Sequence, residues 1–135
     1  MDVKIKLVPK YKWGKRSLAN LEGVDHRLVR VVNRALSFGV MDISIICGLR
    51  TLEEQKRLYA LGRTEPGNII TWTMKSKHIE GKALDVLPHP IKWDDHNRFY
   101  ELAGLMKAAA KIEGVEIIWG GDWQKSKDLP HWEVR

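Results

Sequence analysis

The chain has 135 residues, with 23 lysines and arginines against 17 aspartates and glutamates, which gives a formal net charge of +6. This length suits one core, so residues 1–135 are expected to form a single domain that opens with a basic segment over residues 1–20. No run approaches the ~18 consecutive apolar residues of a membrane span, and the first residues lack the apolar stretch of a signal peptide. We therefore expect no membrane insertion and synthesis in the cytoplasm.

Cysteine content and charge limit further which classes of protein and partner this chain fits. Cys47 is the only cysteine, so no intrachain disulfide is possible, and its neighbours Ile45 and Ile46 favour a small buried side chain over a catalytic thiol. The positive charge makes anionic partners candidates, either nucleic acid or an acidic bacterial envelope polymer. Because the lysines are scattered and no nucleic-acid recognition motif accompanies them, we expect no nucleic-acid binding.

The first predicted elements are a helix, a strand and a second helix. Residues 25–38 carry apolar side chains at spacings of three and four, which is typical of an amphipathic helix. Residues 42–47 are rich in isoleucine and predict a strand. Thr51 and Glu54 match a capping box, which predicts a helix over residues 51–62.

The second half of the chain begins with a predicted loop. Residues 63–77 contain Pro-Gly-Asn and lack periodicity, so they are expected to border a substrate cleft, with a short extended piece at residues 68–73. The remaining elements are a strand, a helix and two short strands, predicted at residues 83–87, 94–113, 115–119 and 131–134. The last two strands are close enough in sequence to pair antiparallel. This order favours an α+β fold in which a small antiparallel sheet packs against about three helices.

Two histidines and two aspartates stand out as candidates for chemistry. Asp85 lies inside an apolar strand, where an ionised carboxylate is costly unless it is paired or bound to a metal. His78, His131 and Asp128 complete a set from which a catalytic zinc could take three ligands and leave one carboxylate as a base. Since side chains alternate along a strand, Asp85 belongs to one strand face and His131 and Glu133 to another, so a metal could be held between neighbouring strands.

A motif in this region carries a family resemblance. Ser76, His78, Gly81, Ala83 and Asp85 match the S-x-H-x-x-G-x-A-x-D motif of the zinc D-alanyl-D-alanine peptidase family, which includes VanY- and VanX-like enzymes and phage endolysins. Three further blocks resemble its phage L-alanyl-D-glutamate peptidase branch, at residues 48–51, 119–123 and 128–133. The likeness runs from about residue 21 to the end of the chain. It implies a hedgehog/DD-peptidase-like fold and hydrolysis of the L-alanyl-D-glutamate bond of stem peptides.

The resemblance also implies a role for each matching residue. His78, Asp85 and His131 would bind Zn²⁺, and Asp128 would be the general base that accepts a proton from the attacking water. Arg50 is similar to the family arginine that holds a substrate carboxylate or stabilises the oxyanion. Lesser roles, as substrate contacts or supports for the ligands, fall to Ser76, Gln55 and Glu133.

Several of these residues have structural alternatives. Asp128 also fits a turn, and Arg50 also fits a surface ion pair with Glu53 or Glu54. The six tryptophans are expected mostly in the core, with three of them as candidates to wall the site: Trp119, Trp123 and Trp132.

The expected function is therefore that of a zinc peptidase and phage endolysin. Two alternatives remain at this point: a D-alanyl-D-alanine carboxypeptidase or dipeptidase with the same zinc site, and a non-catalytic zinc-containing wall-binding domain. We expect a monomer that binds the peptidoglycan stem peptide and has no separate wall-binding domain, with anionic envelope polymers as further candidate partners. It would be made in the host bacterial cytoplasm and reach the wall through a holin-like pore or on lysis.

Overall fold

The computed structural model describes residues 9–135, so residues 1–8 of the predicted basic segment lie outside the described part of the chain. Within residues 9–135 the elements are α1 (Lys15–Leu21), α2 (His26–Ser37), β1 (Ile43–Cys47), α3 (Leu52–Ala60), β2 (Ala83–Pro88), α4 (His96–Glu113), β3 (Ile118–Trp119), a 3-10 turn (Gly120–Asp122) and β4 (His131–Glu133). The predicted α+β class is confirmed. None of the helices in this range is both long and apolar enough to cross a bilayer.

The three predicted helices begin and end for local reasons. The Asp25 carboxylate caps α2 by accepting a hydrogen bond from the backbone N–H of Arg27. At the start of α3, Thr51 Oγ1 accepts from the Glu54 N–H at 3.1 Å. Helix α4 ends at Gly114, whose φ of +68° is the left-handed conformation that glycine adopts at little cost. The caps therefore lie at ends of the same helices that the sequence pattern predicts.

The sheet places its polar residues in one row. Its strand order is β1-β2-β4-β3, and each neighbouring pair is antiparallel. Asp85 is in register with Cys47 of β1 on one side and with His131 of β4 on the other. Directly opposed residues of adjacent strands project from the same face of a sheet. Asp85 and His131, assigned to separate strand faces on sequence grounds, therefore share one face of the sheet.

The opposite face of the sheet packs on α2 and α4. The buried side chains of this core include Leu28, Val31, Val32, Leu84, Val86, Leu102, Met106 and Trp132. Trp119 stacks on Trp132 within it, with ring centroids 5.5 Å apart. Trp119 and Trp132 are therefore core residues, and the expectation that they wall the site is wrong.

Three segments differ from the elements predicted by sequence. Helix α1 lies mostly in the segment that the sequence predicts only to be basic. The sequence does not predict this helix, because seven residues are too short to show a clear helical period. The strand predicted at residues 115–119 is only two residues long: it pairs with Trp132 and Glu133 of β4 and ends where the 3-10 turn begins at Gly120. Residues 68–73, predicted as a short extended piece, form no strand within the described structure.

Helix α1 lies along the outer edge of β1. Ser17 Oγ accepts a hydrogen bond from the Ile45 N–H at 3.0 Å, and Asn20 Nδ2 donates to the Ile45 carbonyl at 2.8 Å. These side chains satisfy backbone groups that an edge strand otherwise leaves unpaired.

Candidate metal centre

Three side chains direct donor atoms at one point. His78 Nε2 lies 3.3 Å from Asp85 Oδ1, and His131 Nδ1 lies 3.8 Å from the same oxygen. Asp85 comes from the middle of β2, His131 is the first residue of β4, and His78 lies on the turn that precedes β2. All three side chains are largely buried: the exposed fraction is 18% for Asp85, 9% for His131 and 4% for His78. The structure thus brings the three predicted ligands together.

The second nitrogen of each histidine ring is held by another group. His78 Nδ1 lies 2.8 Å from the Gly48 carbonyl oxygen, which can only accept, so this nitrogen carries the proton. His131 Nε2 lies 2.8 Å from Glu133 Oε1. In their neutral forms both rings therefore present an unprotonated nitrogen towards Asp85, an arrangement typical of metal-binding histidines. Glu133, which the sequence suggested as a support for a ligand, is thus in hydrogen-bond contact with His131.

The Asp85 oxygen at the centre of this group has no hydrogen-bond partner. Among the described residues, Oδ1 of Asp85 is buried and accepts no hydrogen bond. A buried acceptor without a partner costs about 1–3 kcal/mol, and more when it is charged. A divalent cation between Asp85, His78 and His131 would remove that cost. Two imidazole nitrogens and one carboxylate oxygen are a donor set that zinc accepts in catalytic sites, so the residues present fit this metal.

The charges of the three groups depend on one another. Burial alone would raise the pKa of Asp85, but the His131 and His78 rings beside it, when they are protonated in the absence of a metal, hold that pKa well below its usual range. Burial alone would lower the pKa of His78 and of His131, but Asp85 raises both. The space around Asp85 therefore favours positive charge. Protons on the imidazoles and a divalent cation are two ways of supplying it, and each excludes the other.

Asp128 lies in the same cleft, three residues before His131. Its backbone N–H donates to the Gly120 carbonyl at 3.1 Å. A Cβ at Gly120 would overlap the Asp128 carbonyl, so only glycine allows this approach. Burial, and then the negative charge of Asp85, raise the pKa of Asp128. A carboxyl with a raised pKa beside a metal-ligand set is suited to accept and return a proton.

Arg50 is held by a buried amide. Arg50 Nη1 donates to Gln55 Oε1 at 2.7 Å, and Arg50 Nη2 lies 3.3 Å from Cys47 Sγ. Gln55 is 0% exposed, and its Nε2 donates to the Thr73 carbonyl at 2.7 Å and to Thr71 Oγ1 at 3.2 Å. The Gln55 amide thus connects Arg50 to the loop over residues 63–77, and its hydrogen bonds are made within the protein.

Two further motif residues shape the backbone around His78. Ser76 Oγ accepts a hydrogen bond from the His78 N–H at 3.2 Å, and Ser76 also lines the cleft. Gly81 has a φ of +69°, and a Cβ there would lie 2.6 Å from the Gly23 carbonyl oxygen. The turn that delivers His78 to Asp85 therefore requires a glycine at position 81 and is supported by the Ser76 hydroxyl.

Cys47 borders the centre, which the sequence did not predict. Its donor atom and those of His78 and Asp85 all lie within 4.8 Å of one another. Its sulfur lies 3.6 Å from His78 Nδ1, the nitrogen that donates to Gly48, whereas Nε2 faces Asp85. The set completed by His131 therefore uses the free nitrogen of His78, and we favour it over the set completed by Cys47. No sequence signal reveals the approach of Cys47, because it depends on the register of β1 with β2.

The donor atoms open into a cleft of about 420 Å³. Residues 70–73 line it, as predicted for this loop. Trp123 lies beside His131, with ring centroids 5.1 Å apart, and is the one candidate wall tryptophan of the three that lines the cleft. Two more tryptophans line it without having been predicted to do so, Trp72 and Trp93.

An α+β domain with this donor set and a flanking aspartate has the arrangement expected of a metal-dependent hydrolase. Comparison with known proteins narrows the class. The family described as Phage L-alanyl-D-glutamate peptidase matches residues 9–134, and the chain belongs to this family.

Individual relatives agree with the family. The L-alanyl-D-glutamate peptidase of Escherichia phage T5 is 32% identical over 128 residues, which cover 93% of this chain and 90% of the relative. The peptidoglycan L-alanyl-D-glutamate endopeptidase CwlK of Bacillus subtilis (strain 168) is 38% identical over 104 residues, covering 70% of this chain and 61% of the relative. Among solved structures, the L-Ala D-Glu endopeptidase ChiX of Serratia marcescens superposes with a TM-score of 0.77 at 31% identity, covering 90% of this chain and 87% of that one.

Proposed function

We propose that this peptidase is a zinc-dependent endolysin that hydrolyses the L-alanyl-D-glutamate bond of peptidoglycan stem peptides. One observation carries the proposal: two histidine nitrogens converge on a buried Asp85 oxygen that accepts no hydrogen bond among the described residues. The activities named for the relatives from phage T5, Bacillus and Serratia support the choice of bond.

In this proposal His78 Nε2, Asp85 Oδ1 and His131 Nδ1 hold the zinc. When bound there, zinc supplies Lewis-acid activation of a water molecule and of the scissile carbonyl. Glu133 and the Gly48 carbonyl keep the two imidazoles in the orientation and tautomer that ligation requires.

Asp128 acts as the proton carrier. Its carboxylate accepts a proton from the attacking water and returns it to the amine of D-glutamate as that amine leaves. The raised pKa of Asp128, caused by burial and then by Asp85, makes its carboxylate a stronger base towards the attacking water.

Arg50 positions the substrate. D-Glutamate continues the stem peptide through its side-chain carboxyl, which leaves its α-carboxylate free beside the scissile amide. The Arg50 guanidinium lines the cleft and matches a carboxylate in charge and in hydrogen-bond geometry. Gln55 keeps the guanidinium in place.

The route to the substrate is part of the same proposal. The relatives include L-alanyl-D-glutamate peptidases of two phages, so we place synthesis in the host bacterial cytoplasm, with release to the wall through a holin-like pore or on lysis. The protein acts as a monomer, and its positive charge favours the anionic envelope.

Digestion of purified muropeptides by the zinc-loaded protein, followed by mass spectrometry, tests the bond. A product with a new N-terminal D-glutamate is expected, whereas loss of a terminal D-alanine would indicate a D-alanyl-D-alanine carboxypeptidase instead.

A pair of matched variants tests the mechanism. Asp128→Asn should keep the zinc content and lose about 10²–10⁴-fold in kcat. Asp122→Asn is the control, because Asp122 is exposed and pairs with Lys107 outside the cleft lining. An Asp128→Asn protein that binds zinc and digests muropeptides at the wild-type rate would rule out the assigned base.

A further inference from the structure

Two tryptophans stand largely in solvent at the wall of the cleft. Trp72 is 70% exposed and Trp93 is 57% exposed, and both line the cavity that contains the metal donors. An exposed indole contributes little to the core, and neighbouring exposed apolar groups beside a site indicate a binding surface. The peptidase chemistry assigned above uses neither side chain.

Both indoles are supported by neighbouring side chains. Trp93 stacks on Phe99 with ring centroids 6.4 Å apart and an interplanar angle of 29°. The Arg63 guanidinium lies 5.6 Å from the centroid of Trp72 and 3.9 Å from that of Tyr59. Arg63 is itself fixed by a hydrogen bond to the Tyr59 carbonyl at 2.7 Å. Each indole is therefore partly preorganised while more than half of it remains available to a ligand, which reduces the entropy lost on binding.

The chemistry of the substrate identifies that ligand. In peptidoglycan the first stem residue, L-alanine, is joined through a short lactyl group to N-acetylmuramic acid. One residue spans at most about 3.6 Å, so a sugar one residue and one lactyl group from the scissile bond lies within about 10 Å of it. A pyranose ring presents C–H groups with partial positive charge, which suit the negative face of an indole.

We propose that Trp72 and Trp93 form a saccharide subsite that binds the N-acetylmuramic acid bearing the stem peptide. This inference rests on the proposed cleavage of the L-alanyl-D-glutamate bond, which places the sugar beside the cleft. The subsite makes the enzyme selective for stem peptides still attached to the glycan strand.

Two matched substrates test the subsite. One is an N-acetylmuramoyl tripeptide, and the other is the N-acetyl tripeptide of the same sequence, which keeps the amide at L-alanine and lacks the sugar. Wild-type protein should cleave the first with a kcat/KM about tenfold higher, the gain expected when a ring stacks on each indole. Trp72→Ala and Trp93→Ala should each reduce this ratio and leave kcat/KM for the N-acetyl tripeptide unchanged.

Aromatic and distant replacements serve as controls. Trp72→Phe and Trp93→Phe should retain most of the ratio, and Ile112→Ala, at an exposed site of α4 outside the cleft lining, should retain all of it. Equal kcat/KM for the two substrates in wild type would overturn the subsite, and so would alanine variants that lose activity equally on both. Tryptophan-dependent sedimentation with anionic vesicles, without a sugar preference, would also overturn it and assign the indoles to a membrane surface.

A failure of the proposed function can be distinguished from a failure of the saccharide subsite. If wild type cleaves neither tripeptide, the assigned bond is wrong. The dissociation constants of the two tripeptides, measured by calorimetry on wild type and on the alanine variants, then decide the subsite by the same ratio.

Discussion

Replacing the buried amide of Gln55 should damage stability and catalysis together. Gln55→Leu removes the acceptor for Arg50 Nη1 and the donor to the Thr73 carbonyl, two bonds of 2.7 Å each. Arg50 is half-buried and Thr73 is exposed, so water can replace part of what is lost. We expect a decrease of about 1–3 kcal/mol in the free energy of unfolding, the range for leaving a polar group imperfectly paired.

The loss of activity should follow from the freed guanidinium. An Arg50 side chain that is no longer fixed misplaces the substrate, and a misplacement of about 1 Å can cost about 100-fold in rate. We therefore expect kcat/KM of Gln55→Leu to fall by about 10–100-fold. Gln55→Glu keeps an acceptor for Arg50 but sets a carboxylate against the Thr73 carbonyl, so it should retain more activity while the loop over residues 71–75 exchanges amide hydrogens faster.

Urea denaturation and peptide-cleavage kinetics at one fixed zinc concentration measure both effects, and hydrogen exchange reports on the loop. The control is Gln124→Leu, which alters the other glutamine of the chain at an exposed position and should match wild type. A Gln55→Leu protein with wild-type kcat/KM and wild-type stability would refute the role assigned to the amide.

Three other substitutions give further predictions: two affect residues that support the site, and one removes the cap of a helix. Glu133→Ala frees the ring of His131 and should weaken zinc binding by about 10–100-fold in a chelator competition; unchanged affinity would contradict the hydrogen bond's role. Gly120→Ala forces the Asp128 carbonyl aside, so kcat should fall while zinc content, read by metal analysis, stays constant; full activity would show that Asp128 is placed by other contacts. Asp25→Ala removes the cap of α2 and should cost about 1 kcal/mol at pH 7. The hydrogen bond from Arg27 lowers the pKa of Asp25 to about 2 from 3.8, so this stabilisation is complete above the unfolded value and disappears as pH falls through the folded one. Urea denaturation should therefore show the two proteins converging near pH 2, and a gap that stays constant down to that pH would contradict the argument.

The elements that sequence predicted well are those whose pattern is local. Helices α2, α3 and α4 each have at least nine residues with a periodic apolar side or a cap at one end, so the information needed lies within the element. Helix α1 has seven residues, and the two residues of β3 pair with β4 before the 3-10 turn begins. Their bounds depend on tertiary contacts, which a single sequence does not display.

The residues of the site likewise fall into those that the sequence predicts and those that depend on tertiary contacts. That His78, Asp85, His131 and Asp128 lie together in one cleft could be predicted, because all four fall in the blocks that carry the family resemblance. The position of Cys47 beside the donor atoms could not be predicted, because its register with Asp85 follows an irregularity between Ile45 and the end of β1. Burial of Gln55 was equally hidden, since the sequence shows only a polar residue on an exposed helix, and the contacts that cover it come from a loop without periodicity.

The hydrogen bonds from α1 to Ile45 also bear on how the domain tolerates engineering. Unprotected strand edges pair readily with other chains, and β1 is the longer of the two edge strands of this sheet. Ser17 and Asn20 occupy the groups through which such pairing would start. A truncation or fusion that unfolds residues 15–21 would leave His78, Asp85 and His131 in place and still expose this edge. Its first measurable effect would therefore be self-association at high concentration, before any change at the proposed metal centre.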